Sequence, residues 1–95
     1  MAETPLIEIR EPGRPPRRVV VDRVLEIGRT ADVVLDDAGV SRRHLKLTPN
    51  PLGLSAVDLG SRNGTLVNGL PMDGRRLLST GDIVRVGATD RKSVV

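Results

Sequence analysis

Apolar and polar positions alternate along this chain in short runs separated by Gly, Pro, Asn or Asp. Leu6-Ile7-Glu8-Ile9-Arg10 repeats with a period of two, the period of a strand with one buried face and one wet face. The same reading covers Arg17–Asp22, Val24–Ile27, Val33–Leu35, His44–Thr48, Leu54–Asp58, Thr65–Val67, a short Arg76–Leu77, Asp82–Val86 and Lys92–Val95. No segment keeps an apolar stripe of 3.6-residue period over three turns, so no helix is expected. Many short strands at this spacing predict an all-β sandwich, mostly antiparallel, with its working residues on loops at one end. Residues 1–5 are read as an N-terminal tail and 6–95 as one domain.

The interruptions carry turn chemistry. Pro12-Gly13 suits the centre of a type II turn, and Thr48-Pro49-Asn50-Pro51-Leu52-Gly53 is expected to be a loop that no strand continues through. Asn63-Gly64 and Asn68-Gly69 are both tight-turn signals, because Asn and Gly accept positive φ.

Composition narrows the function. Of the 95 residues, 29 are Val, Leu or Ile, and there is no Phe, Tyr, Trp or Cys. That much branched aliphatic side chain supports one small folded domain with a purely aliphatic core. Without aromatics there is no platform for stacking bases and no cage for methyl-lysine. Without Cys, and with one His, thiol chemistry and a Cys- or His-rich metal site are excluded, and no cofactor is expected. The opening residues contain no apolar signal region and no run is long enough to span a membrane, so a cytoplasmic location without direct membrane contact is expected. Arg supplies 13 of the 15 basic residues, while the net charge is only +3. Nearby acidic residues interrupt the Arg clusters, which makes nucleic-acid binding the weakest of the readings.

Three segments gather donors of one kind: Ile27-Gly28-Arg29-Thr30, Val40-Ser41-Arg42-Arg43-His44 and Gly60-Ser61-Arg62-Asn63-Gly64-Thr65. Each places guanidinium, hydroxyl or amide groups beside glycine, the chemistry of a shallow oxyanion site. Ser41 and His44 are three residues apart, but no G-x-S-x-G elbow surrounds Ser41, and an orienting carboxylate and an oxyanion hole would also be needed for catalysis. There is no phosphate-binding P-loop pattern and no calcium-loop pattern.

In their order and spacing, Gly28-Arg29, Ser41-Arg42-Arg43-His44, Ser61-Arg62-Asn63-Gly64-Thr65, Asn68-Gly69 and Gly81-Asp82 resemble the signature of the forkhead-associated (FHA) domain. The resemblance implies a sandwich of about eleven strands whose loops bind phosphothreonine peptides. It implies that Arg29 is the main phosphate clamp, that Ser41 donates its hydroxyl to the phosphate and that Arg42 adds a second charged donor. Asn63 would bond the peptide backbone, and Asn68 would touch the peptide or cap its own turn. Gly28, His44, Gly64 and Thr65 would support the loops. Arg62 stands where the family commonly has a small hydroxyl residue, and would reach the phosphate or select an acidic side chain three residues beyond it. The implied partner is a phosphothreonine-containing protein, such as a Ser/Thr kinase or its substrate, with no small-molecule substrate and no catalysis. A phosphate-independent interaction domain of the same fold is the alternative.

Overall fold

The computed structural model describes residues 4–87 and the strand 93–94. Eleven strands run in order as β1 (Leu6–Arg10), β2 (Arg17–Val20), β3 (Leu25–Gly28), β4 (Val33–Val34), β5 (Leu45–Asn50), β6 (Gly53–Asp58), β7 (Thr65–Val67), β8 (Leu70–Pro71), β9 (Arg75–Leu78), β10 (Val84–Val86) and β11 (Ser93–Val94). One sheet has the order β2-β1-β11-β10-β7-β8 and the other β4-β3-β5-β6-β9. All pairings are antiparallel except β3 with the two-residue β4. The expected all-β sandwich is therefore the fold. Among the described residues no helix is long and apolar enough to cross a membrane.

Period-two patterning explains how the sheets meet. Ile7, Ile9, Val67, Val84 and Val86 face inward from one sheet, and Leu25, Ile27, Val33, Leu45, Leu47, Leu54 and Ala56 from the other, in a single buried cluster. Val21, Leu35 and Val40 join it from the connections. Removing this aliphatic surface from water, at roughly 25 cal/mol per Å2, is what holds the sheets together.

Two expectations are corrected. The stretch 48–53 is not a loop: β5 runs through Pro49 to Asn50, which pairs with Gly53, leaving only Pro51 and Leu52 as the turn. Beyond Leu47 the strand has no β3 neighbour, and at this one-sided end it tolerates Pro49, which has no N–H to give to a second strand. The Asn50 carboxamide closes the turn by accepting the Leu52 N–H at 2.9 Å. Strand β8 is the element the pattern does not show. Its two residues are both exposed and one is proline, so it carries no alternation. The expected last strand was Lys92–Val95; β11 falls within it, while Lys92 and Val95 lie outside the described residues.

Candidate functional site

The three donor-rich segments converge at one end of the sandwich. Arg29, Ala38, Gly39, Val40, Ser41, Arg42, Arg43 and Arg62 line an open basin of about 460 Å3. Arg29 follows the last residue of β3, the next six lie between β4 and β5, and Arg62 lies between β6 and β7.

The basin depends on close backbone contact. A side chain at Gly28 would place its Cβ 2.2 Å from the Arg42 carbonyl oxygen, so only glycine lets β3 lie against the Ser41-Arg42 backbone. That approach is held by the Arg29 N–H on the Ser41 carbonyl and the Thr30 N–H on the Arg42 carbonyl, both at 3.1 Å. The Arg29 side chain is aimed by its own Nε–H, which donates to the Val40 carbonyl at 2.7 Å and leaves the terminal nitrogens for a ligand. The carbonyls of Gly39 and Val40 thus form a shelf, because Gly39 accepts the Asn63 carboxamide N–H at 2.7 Å.

His44 is fully buried and joins all three segments. Its Nδ1 accepts the Ser41 backbone N–H at 3.1 Å, so Nε2 carries the proton and donates to the Gly64 carbonyl at 2.8 Å. The Ser41 hydroxyl makes no hydrogen bond to this ring. Its oxygen accepts the Arg62 N–H at 2.9 Å, leaving the hydroxyl hydrogen available to an acceptor in the basin. This geometry braces loops and does not activate a nucleophile.

Asp58 is an organiser that sequence reasoning missed. Oδ1 accepts the Ser61 N–H at 2.7 Å, and Oδ2 accepts the hydroxyls of Ser61 and Thr65, both at 2.6 Å. Burial alone would raise the Asp58 pKa. The bonds from Ser61 and Thr65 outweigh burial and hold the carboxyl below its ordinary range. Thr65 is buried, so its contribution to the turn is this bond. The available signal was the D-x-x-S-x-x-x-T spacing, which reads as an ordinary strand end until the turn is folded.

Charge in the basin is unevenly committed. Arg43 gives Nε and Nη2 to the two oxygens of Glu26 at 2.6 and 2.7 Å. That fork pulls the Glu26 carboxyl below its usual range. Among the described residues no carboxylate pairs with Arg29, Arg42 or Arg62. Three guanidinium groups therefore face an open depression that also holds a hydroxyl donor, which suits a multiply charged oxyanion.

The FHA domain model matches residues 25–87, which contain every part of this basin. The chain belongs to the forkhead-associated family. Among relatives of this FHA domain, the glycogen accumulation regulator GarA of Mycobacterium tuberculosis is 37% identical over 84 residues, covering 86% of this chain and 51% of GarA. The chain thus spans about half the length of that relative. The FHA domain of the CT664 protein from Chlamydia trachomatis superposes with a TM-score of 0.83 at 26% identity, covering 95% of this chain and 92% of that one. An FHA domain from a structural and functional analysis of phosphothreonine-dependent interactions gives 0.79 at 30% identity, covering 96% and 94%.

Asn68 stands apart from the rest of the FHA constellation. It adopts φ 51°, and its carboxamide donates to Asp82 at 3.0 Å and accepts the Ile83 N–H at 2.9 Å. Asp82 is held below the usual carboxylate range, first by the Ser79 N–H and then by Asn68. Gly28, Arg29, Ser41, Arg42, His44, Arg62, Asn63, Gly64 and Thr65 are brought together, whereas Asn68 is engaged with the β9–β10 connection.

Proposed function

We propose that this FHA domain recognises phosphothreonine in protein segments, as a non-catalytic module of Ser/Thr kinase signalling acting in the cytoplasm. One observation carries the reading: Arg29, Arg42 and Arg62 have no carboxylate partner among the described residues, and they surround the available Ser41 hydroxyl. A phosphothreonine brings about −1.5 to −2 charge and three strong acceptor oxygens. Arg29 is its clamp, Ser41 and Arg42 complete the cradle, and Asn63, steadied by Gly39, offers its carboxamide to the peptide backbone. Arg62 adds a cation beyond what one phosphate requires, which favours an acidic side chain near the phosphothreonine.

The family match, and the similar FHA domain studied for phosphothreonine-dependent interactions, support this reading. The contact is small, so affinity of roughly micromolar order is expected. The test compares a labelled phosphothreonine peptide with its unphosphorylated twin. Selective binding supports the proposal, and equal binding of both overturns it in favour of a phosphate-independent interaction domain. Indifference to both peptides, together with salt-steep binding to DNA, would instead identify a nucleic-acid binder.

A further inference from the structure

We propose that Arg17, on edge strand β2 and outside the basin, is a positioning residue that anchors the shelf holding the phosphate clamp; the inference rests on the phosphothreonine reading above. The shelf is the segment from Val34 to Val40. Its last two carbonyls, Gly39 and Val40, accept the side chains of Asn63 and Arg29. Any displacement of this segment therefore moves both groups that would meet the ligand.

The segment has little sheet structure to fix it. Strand β4 is two residues long and pairs with β3 only through Ile27↔Val33 and Gly28↔Val34. After Val34 the described bonds within the segment are short-range turns: Asp37 N–H to Leu35 carbonyl, Gly39 N–H to Asp37 carboxylate and Val40 N–H to Asp37 carbonyl. The bond from the Leu35 N–H to Gly28 ties its start to β3. Leu35 and Val40 are buried, but such apolar contacts are non-directional and do not orient a carbonyl.

An outside anchor comes from the other sheet. β2 and β4 are edge strands of different sheets, and Arg17 Nη2 donates to the Val34 carbonyl across the gap between them. The same nitrogen lies 3.3 Å from Glu11 Oε1, whose side chain is only 4% exposed. The buried carboxylate beneath the guanidinium restrains it more firmly than an exposed pair would. A second, exposed tie between Arg14 and Asp36, at 3.2 Å, runs from the same hairpin to the same segment. The hairpin between β1 and β2 thus supports the basin without contributing a residue to its lining.

The test uses two variants of the chain. Arg17→Met combined with Glu11→Gln removes the anchor together with the charge of the carboxylate beneath it. Arg17→Lys keeps a cation over Glu11 on a side chain one atom shorter, which weakens its reach to the Val34 carbonyl. Affinity is read with a fluorescein-labelled peptide carrying one phosphothreonine. Shelf order is read separately, without peptide, from hydrogen exchange of the Arg29 Nε–H in nitrogen-resolved spectra. The expected result for the double variant is a three- to tenfold loss of affinity with at least threefold faster exchange, and Arg17→Lys should fall between it and the parent. Couplings of this size are usual for residues that act through a neighbouring element. Unchanged affinity, or lost affinity with unchanged exchange, overturns the proposal. If the double variant does not fold, Arg17→Lys decides by the same two readouts. A parent chain that fails to bind the peptide overturns the phosphothreonine reading, and the exchange rate alone then decides whether Arg17 anchors the shelf.

Discussion

Asn63-Gly64 and Asn68-Gly69 are identical dipeptides five positions apart, and the fold gives them different work. At the second, Asn68 and Gly69 both take positive φ, at 51° and 84°, and join Val67 to Leu70 as a two-residue hairpin of the type Asn-Gly favours. The Asn68 carboxamide is spent on Asp82 and Ile83. At the first, only Gly64 has positive φ, and the Asn63 side chain reaches back to the shelf at Gly39. Each turn is braced by a carboxylate, Asp58 through Ser61 and Thr65 in one case and Asp82 in the other. A dipeptide therefore specifies that the chain turns, and its neighbours in space specify whether its amide is structural or available to a ligand.

The most forceful way to break this comparison is at the clamp beside the first turn. Arg29→Ala should cost about 2–5 kcal/mol of phosphopeptide binding, at least tenfold in affinity. Anisotropy of a labelled peptide measures it, since a chain without Trp or Tyr offers almost no intrinsic signal. Binding equal to the parent's would separate the basin from the function.

Asn68→Ala should destabilise the fold by about 2 kcal/mol, because it removes both side-chain bonds and leaves alanine at positive φ. For a domain this small that is a melting shift of about 10 °C by circular dichroism. Peptide affinity should stay within about twofold; a larger loss would move Asn68 into the binding site. Asn63→Ala should do the reverse, weakening binding by about 1 kcal/mol, roughly fivefold, with little change in melting.

The smallest effect is in acid. Asp58 and Asp82 are both held below the ordinary aspartate value of 3.8, so each contributes stability that is present above that value and fades as pH falls through its lowered one. Asp58→Asn should flatten the fall of the urea midpoint between pH 5 and pH 3 more than Asp82→Asn does. Asp82 is more exposed, and solvent screens it. The opposite ranking would mean that the hairpin, and not the binding turn, depends on its carboxylate.

Most strands were legible because burial on one face imposes a period of two, and Leu6–Arg10 and Thr65–Val67 match to the residue. The strand through Pro49 was not legible, since its tolerance there depends on β3 ending before it. Nor was β8, whose two exposed residues exist as a strand only by pairing with β7. In the site, Gly28, Arg29, Ser41 and His44 stood out through donor chemistry beside glycine. Asp58 did not, because its partners Ser61 and Thr65 are defined only once the turn folds back on it.

The sequence by itself determined an aliphatic β-sandwich and a binding chemistry limited to guanidinium, hydroxyl and amide donors, because alternation and side-chain type are local properties of the chain. Tertiary structure decided which arginines face the basin unpaired, which Asn-Gly turn keeps its amide available, and which distant hairpin supports the shelf. Glu26 occupies Arg43 from 17 residues away, and Arg17 reaches Val34 across the same separation. Charge pairing and carbonyl placement depend on distances in space, and an alternating pattern carries no record of them.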